Sequence, residues 1–186
     1  VCLPGEESDL SSCHIELAER GIDFEPTVRA DSSPEGFPGL TCHIEDPVWV
    51  KSPLLGTELR YYDGAVTDKV LASCDMAHSL ADTVLDVQPF GVTDLLHIGT
   101  YNCRVIAGTT SLSRHGFGDA IDIYGFRFDD GTEWTLVDHW EGGPNDIPAV
   151  TPVTAAGIFL HDSAYRWHDE DYWSIILTPN YDDAHD

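Results

Sequence analysis

The most informative stretch of the chain reads Ser113-Arg114-His115-Gly116-Phe117-Gly118-Asp119-Ala120-Ile121-Asp122. His115 offers an imidazole and Asp122 a carboxylate, and both groups are common ligands of zinc. The two glycines permit a tight backbone path, which would fold the histidine-bearing loop back toward the strand that carries the aspartate. The stretch therefore predicts half of a metal site, in which the side-chain tips of His115 and Asp122 lie roughly 3–4 Å apart.

A helix is predicted on the N-terminal side of this stretch, where apolar residues recur at spacings of four and three. Thr67 or Asp68 would cap this helix, and Pro89 with Gly91 would end it. The apolar positions that define its buried face are Val70, Cys74, Ala77, Ala81 and Val84.

Short apolar segments around a turn at 129–132 predict β-strands, because Asp-Asp-Gly-Thr is typical of a hairpin turn. A second helix is predicted from Thr151 to about residue 167, and a last strand at 172–177. Because helices would lie beside a mostly antiparallel sheet without βαβ alternation, the predicted fold class is α+β. The strands next to the turn and before it are predicted at 94–101, 120–128 and 133–137.

The N-terminal part of the chain differs in composition from the rest. Residues 1–65 are rich in Gly, Pro, Ser and Asp, which predicts loops and short strands. We predict a loop-rich extension over residues 1–40 and a single domain over residues 41–186. The chain begins at Val1 without a methionine, as expected of a mature product after removal of a signal peptide.

The net charge of the chain is its most extreme bulk property. Its 186 residues include 33 acidic and nine basic side chains, for a formal net charge of −24. Such a field would repel DNA, so nucleic-acid binding is not expected. The charge indicates either the solvated surface of a secreted protein or an attraction for cations, including a metal. No apolar run approaches the roughly 20 residues of a membrane helix, and we expect a monomer without a membrane span.

The five cysteines are widely spaced and form no Cys-x-x-Cys pair, so disulfides in an oxidising compartment are expected. We predict two bridges among Cys13, Cys42, Cys74 and Cys103, with Cys2 left over. Four cysteines permit three connectivities. Cys74 is the best partner for Cys103, because a helix face and a neighbouring strand would bring two core-facing thiols together. The predicted location is therefore secreted or periplasmic.

Further motifs accompany the histidine stretch. They are Cys42 ahead of a Pro-Val strand, Tyr101-Asn102-Cys103-Arg104, Asp129-Asp130-Gly131, Asp138-His139-Trp140 and Leu177-Thr178-Pro179-Asn180-Tyr181. With them, residues 40–186 resemble the bacterial extensin-like C-terminal domain family, which looks like a branch of the LAS-type zinc peptidases (lysostaphin, D-Ala-D-Ala metallopeptidases and the hedgehog signalling domain). The resemblance implies a small antiparallel sheet flanked by helices, one bound zinc ion and hydrolysis of peptidoglycan peptides.

The resemblance also implies roles for residues of this chain. His115 and Asp122 would hold the zinc ion. His185 would act as a base or orient the attacking water. Arg104 would stabilise the oxyanion or bind a peptide carboxylate, and Ser113, the third residue assigned to the catalytic centre, would brace the loop.

Two departures from the family pattern affect the predicted site. The family takes its last zinc ligand from a His-x-Asp-His-Phe-His string, of which this chain reaches only His185 and Asp186. Because a catalytic zinc takes three protein ligands and a water, the third ligand is expected just beyond Asp186. The alternative is a natural protein without a complete site. Family members also carry a cysteine before the last strand, but none lies between Ala155 and Tyr172, so the disulfide pattern must differ.

The remaining histidines are not expected to bind the metal, with one exception. His139 lies in the Asp-x-Trp element that family members place near the cleft. His161 and His168 are seven residues apart and would share a solvated face of a helix. The others are scattered along the chain and are His14, His43, His78 and His97.

The function implied by these observations is that of a zinc-dependent peptidoglycan peptidase, either a D,D-carboxypeptidase or an endopeptidase. One alternative is a secreted binding or structural module that retains the peptidase fold and its metal, as the hedgehog domain does. Another is a disulfide-stapled secreted domain in which the histidine stretch is only a loop. A complete third ligand would favour the enzyme, and the zinc content of the protein would separate the last alternative from the other two.

Overall fold

The computed structural model describes residues 10–135, which form two α-helices, two 3-10 turns and seven β-strands. The helices are α1 (Ser12–Glu19) and α2 (Cys74–Val87). The 3-10 turns are Gln88–Phe90 and Arg114–Phe117. The strands are β1 (Phe24–Pro26), β2 (Val48–Lys51), β3 (Glu58–Tyr61), β4 (Lys69–Ala72), β5 (Val92–Gly99), β6 (Asp122–Phe128) and β7 (Glu133–Thr135).

The strands pair into two sheets. β1, β2 and β4 form an antiparallel sheet in that order, in which Val50 pairs with Phe24 on one side and with Val70 on the other. The second sheet has the order β3-β5-β6-β7, with β3 parallel to β5 and the other pairs antiparallel. Helices beside small, mostly antiparallel sheets confirm the predicted α+β class.

One face of α2 is buried in the hydrophobic core. Leu80 and Val84 on this helix belong to the same buried cluster as Val50 of β2, Leu95 of β5 and Phe126 of β6. Each such side chain that leaves water stabilises the fold by roughly 1.5–3 kcal/mol. The core therefore joins α2 to both sheets.

The prediction that this helix begins at Thr67 or Asp68 is wrong. Residues 69–72 form β4, and the helix begins at Cys74, where the Ser73 hydroxyl accepts a hydrogen bond from the Met76 backbone nitrogen at 3.2 Å. Val70 is a buried residue of β4, and its spacing of four residues from the buried Cys74 of α2 matches a helical period only by coincidence. The predicted end is confirmed, since a 3-10 turn follows α2 and Gly91 has a left-handed φ of 84°.

Helix α1 was not predicted from the sequence, which indicated loops and short strands in this region. Ser11 caps the helix, and the His14 side chain accepts a reciprocal hydrogen bond from the Ser11 backbone nitrogen at 3.3 Å. This capping box uses histidine where glutamate or glutamine is usual. Only His14 and Leu17 of the eight-residue helix are buried, so its apolar period is too short to detect.

Two disulfides join the four cysteines of the described region, which confirms the predicted number of bridges. The predicted pairing of Cys74 with Cys103 is wrong. Cys74, at the start of α2, is bonded to Cys13 of α1, and Cys103 is bonded to Cys42. The prediction failed because it omitted α1, the element that Cys74 faces. Cys2 lies outside the described residues.

The three strands predicted next to the histidine stretch are confirmed as β5, β6 and β7, with small shifts at the ends of β5 and at the start of β6. Residues 136–137 of the last predicted strand lie outside the described residues. The predicted hairpin turn is also confirmed. The backbone nitrogen of Phe128 donates to the Thr132 carbonyl at 2.9 Å, and Gly131 has a φ of 83°. The helix predicted from Thr151 and the strand predicted at 172–177 lie outside the described residues, and the boundary at residue 40 stays a prediction.

A buried carboxylate joins three strands of the second sheet. The Asp94 side chain, on β5, is 9 % exposed and forms ion pairs with Arg60 of β3 and Arg127 of β6, the latter at 3.8 Å. Burial alone would raise the pKa of Asp94. The hydrogen bonds from Thr93 and Arg60 and the two positive charges outweigh burial, so the pKa of Asp94 is lowered.

Replacing Asp94 with Asn should lower the free energy of unfolding by about 2 kcal/mol at pH 7, because it leaves Arg60 partly buried without its partner. The folded pKa of Asp94 is depressed, so this stabilisation is present above the unfolded pKa of about 3.9 and is lost as the pH falls through the folded value. Urea unfolding at pH 7 and at pH 3 measures both effects. The exposed Asp68→Asn is the control and should change stability at neither pH. An equal loss for Asp94→Asn at both pH values would contradict the ion-pair explanation.

Candidate metal centre

A cleft of about 400 Å³ opens where β5 ends and the following loop begins. Its walls include Trp49 and Tyr101, together with Arg104, His115 and Asp122. Three of the residues predicted to carry the chemistry therefore share one cavity.

The predicted meeting of His115 and Asp122 is confirmed. His115 lies in the second 3-10 turn and Asp122 is the first residue of β6, and His115 Nε2 is 3.1 Å from Asp122 Oδ1. The His115 side chain is 10 % exposed and that of Asp122 is 50 % exposed. The imidazole is therefore held within the protein while the carboxylate is open to the cleft. Their role as zinc ligands stays a prediction.

The backbone that leaves β5 fixes the His115 ring. His115 Nδ1 contacts the Thr100 carbonyl oxygen, and the Asn102 backbone nitrogen donates to the His115 carbonyl at 3.2 Å. A carbonyl can only accept, so Nδ1 carries the proton and donates it to Thr100. The remaining nitrogen, Nε2, is thereby directed toward Asp122.

With Asp122 ionised, its pairing with Nε2 of His115 requires a positive charge. An ionised carboxylate only accepts hydrogen bonds, and a neutral imidazole that donates from Nδ1 presents a lone pair at Nε2. Two acceptors 3.1 Å apart repel each other unless a proton or a cation lies between them. Either His115 is doubly protonated or the pair shares a cation.

The electrostatic surroundings of His115 agree with this requirement. Burial lowers the pKa of His115, but the hydrogen bonds with Asp122 and with Thr100 and the charge of Asp122 outweigh it, and the pKa is raised overall. The positive charge of Arg104 opposes the rise. The cleft thus stabilises positive charge at Nε2, and an imidazole beside a carboxylate is a donor set that zinc accepts. The residues present fit a zinc ion.

The two glycines beside His115 are required by close contacts as well as by the tight turn. A Cβ atom at Gly116 would lie 2.9 Å from the Cys42 sulfur, which is bonded to Cys103. At Gly118, φ is +68° and a Cβ atom would lie 2.9 Å from the Ser73 backbone nitrogen. A disulfide and the start of α2 therefore both press against the histidine loop.

The start of α2 also anchors this loop through hydrogen bonds. The Ser73 backbone nitrogen donates to the Gly118 carbonyl at 2.9 Å, and the Ser73 hydroxyl donates to Asp119 Oδ1 at 2.7 Å. Asp119 is also paired with Arg114 at 2.8 Å. The residue that caps α2 therefore also positions the backbone that carries His115.

Ser113 lies behind the cleft. Its hydroxyl caps the second 3-10 turn by accepting from the His115 backbone nitrogen at 3.4 Å, and its own backbone nitrogen donates to the Arg104 carbonyl at 3.0 Å. Ser113 is buried and is not among the residues that line the cavity. These contacts stabilise the loop, and a catalytic role for Ser113 stays a prediction.

A sequence profile described as the extensin-like protein C-terminus matches residues 11–186. The chain belongs to the extensin-like C-terminal family. The resemblance of residues 40–186 to this family is thus confirmed, and the match also covers α1 and β1. The relation to the LAS-type zinc peptidases stays a prediction. No curated protein and no solved structure matches the chain.

His97 of this extensin-like domain lines the cleft, although its sequence position gave no reason to single it out. Its ring is 1 % exposed, and burial lowers the pKa of His97. Nε2 lies 3.1 Å from the Thr67 hydroxyl, and Nδ1 has no hydrogen-bond partner within residues 10–135. The one available signal was a histidine inside an apolar strand, in Leu95-Leu96-His97-Ile98.

A second set of potential ligands lies between the two helices. The ligand atoms of Cys13, Cys74 and His78 are within 4.8 Å of one another. The two sulfurs form a disulfide, however, and therefore lack the thiolate charge that binds metals. His78 Nδ1 also lies 3.0 Å from Arg20. In the oxidised extensin-like domain this group is not a substitute for the centre in the cleft.

The part of the chain that the structure describes contains no other group of three such side chains, so it offers His115 and Asp122 no third ligand. His14 and His43 do not line the cleft. Outside the described residues lie the proposed base, His185, and three other histidines, His139, His161 and His168.

Replacing Gly116 with Ala should lower the free energy of unfolding by about 2 kcal/mol, because the new methyl group must displace the disulfide or the loop. The matched control is Gly39→Ala, since a Cβ atom at Gly39 meets nothing within 4 Å. Thermal unfolding of the oxidised proteins measures the difference, which should appear as a fall of several degrees in Tm. Equal Tm values for the two variants would show that the loop does not depend on this contact.

Proposed function

We propose that the chain is a zinc-dependent hydrolase of peptide bonds in bacterial cell-wall peptidoglycan. The observation that carries the proposal is the 3.1 Å approach of His115 Nε2 to Asp122 Oδ1 at the wall of a cleft, with the ring fixed through Thr100. A backbone acceptor behind a ligating histidine is the usual arrangement at metal sites. Family membership and the resemblance to the LAS-type peptidases also support the proposal.

In this proposal His115 and Asp122 hold zinc together with a third histidine expected after Asp186. Bound zinc would supply an activated water molecule as the nucleophile. Thr100 keeps the His115 proton on Nδ1 and so leaves Nε2 free for the metal. Arg104, which lines the same cleft, would stabilise the oxyanion or bind a substrate carboxylate. His185 would act as a base or orient the water. A D,D-carboxypeptidase and an endopeptidase are both consistent with these roles.

The proposed location is secreted or periplasmic, and the proposed state is monomeric. Two disulfides are compatible with an oxidising compartment. Neither helix within residues 10–135 has the length and apolar character needed to cross a membrane. The formal charge of −24 argues against nucleic acid as a partner.

A non-catalytic binding or structural module is the second candidate function. Such a module would bind zinc without hydrolysing peptides. Zinc analysis combined with an activity assay therefore separates the two functions.

Replacing His115 with Ala or Asp122 with Asn should reduce muropeptide hydrolysis by at least about a hundredfold and should lower the zinc content, because each change removes a ligand. Treatment of the unaltered full-length protein with 1,10-phenanthroline should abolish hydrolysis. Mass spectrometry of the products and metal analysis of the protein measure these effects. The control is His43→Ala, which removes an exposed imidazole paired with Asp31 and should change neither result. Full hydrolysis by the chelated protein would reject the metal mechanism, and zinc binding without hydrolysis would favour the module.

A further inference from the structure

The distribution of positive side chains singles out the cleft. Residues 10–135 contain eight arginines and lysines, and six of them form ion pairs with carboxylates of the same region. The two without such a pair are Arg29 and Arg104, and both line the cleft. The chain has 33 acidic residues against nine basic ones, so carboxylate partners are abundant elsewhere on the protein. Two arginines that pair with no carboxylate of residues 10–135 and that share one cavity indicate that a ligand supplies the carboxylates.

Arg29 is held in place by an aromatic ring. Its guanidinium carbon lies 4.0 Å from the centroid of the Tyr101 ring. The Tyr101 hydroxyl is 3.1 Å from the Ser32 hydroxyl, and Ser32 exchanges two backbone hydrogen bonds with Cys42 at 3.2 and 2.7 Å. Stacking uses the face of the guanidinium and leaves its N–H groups at the edge free to donate. Arg29 therefore presents, on the wall of the cleft, a preorganised set of N–H donors that can bind a carboxylate.

Tyr101 places this donor set beside the candidate metal centre. It directly follows Thr100, whose carbonyl contacts the His115 ring, and it precedes Arg104 by three residues. Cys42, which pairs with Ser32, is bonded to Cys103 in the same loop. The positions of Arg29, Arg104 and His115 are thus coupled through one short, cross-linked segment.

We infer that Arg29 forms a second carboxylate-binding position, so that the cleft selects peptides with at least two carboxylates, one for Arg104 and one for Arg29. The peptide nature of the ligand rests on the proposed function. The two arginines also offset the repulsion that a chain of net charge −24 would exert on an acidic peptide.

The test is a calorimetric titration of the full chain with two synthetic stem peptides of sequence L-Ala-γ-D-Glu-L-Lys-D-Ala-D-Ala. In one the α-carboxyl group of the D-glutamate is free, and in the other it is amidated, so only the first carries two carboxylates. Arg29→Gln should weaken binding of the free-acid peptide about fivefold and leave the amidated peptide unchanged. Arg29→Lys should restore part of the loss, because it keeps the charge without the planar stacking. The control is Arg20→Gln, whose arginine pairs with Asp82 outside the cleft.

Unchanged binding of the free-acid peptide to Arg29→Gln would overturn the inference. An equal loss of affinity for both peptides in this variant would also overturn it, as would a failure of the unaltered chain to bind either peptide. Mass spectrometry of the titrated samples reports hydrolysis separately. Binding that depends on Arg29 without any hydrolysis would reject the proposed enzyme and support the carboxylate position. Hydrolysis together with binding that does not depend on Arg29 would support the proposed enzyme and reject the carboxylate position.

Discussion

The close contact between the Cys42 sulfur and Gly116 is the constraint on which the candidate site depends. Only glycine allows the backbone next to His115 to approach the disulfide, since a Cβ atom would lie 2.9 Å from the sulfur. The other cysteine of that disulfide, Cys103, lies in the same short segment as Thr100. The Thr100 carbonyl fixes the His115 ring. The loop that carries the imidazole and the segment that orients it are therefore held together covalently.

The electrostatics of the molecule complement this geometry. A chain with so many acidic groups stabilises a cation wherever two of its ligands meet, and His115 with Asp122 is such a meeting point. Most basic side chains are neutralised locally, as Arg60 is by Asp94. Among the arginines and lysines of residues 10–135, Arg29 and Arg104 in the cleft are those without a carboxylate partner in that region. In the proposed function the cleft would combine a site for a cation with two positions for anions, which is the combination required to activate water beside a charged peptide.

What could be predicted from the sequence depended on short separations along the chain. His115 and Asp122 are seven residues apart, and the intervening glycines permit a backbone path tight enough for the two side chains to meet. The end of α2 was equally local, because Pro89 and Gly91 determine it. The disulfide pairing was not predictable in this way, since each bridge joins cysteines 61 residues apart and depends on how separate elements pack.

The same limit explains the residues that were missed. Arg29 reaches the cleft by stacking on Tyr101, a contact between distant segments for which no local pattern exists. His97 enters the cavity because β5 pairs with both β3 and β6, and that pairing depends on the sheet as a whole. Helix α1 was not predicted because its capping histidine and its single buried leucine give almost no periodic signal.

The segment before β2 is connected to the candidate site through a disulfide and a hydrogen bond. Cys13 of α1 is bonded to Cys74, the neighbour of Ser73, and Ser73 anchors the histidine loop through Gly118. Both disulfides therefore end beside the loop that carries the imidazole, one at the start of α2 and the other against Gly116. The family match from residue 11 covers both bridges in full. Loss of either bridge would release one of the two surfaces that confine the loop, so the segment before β2 supports the position of His115 as well as the stability of the domain.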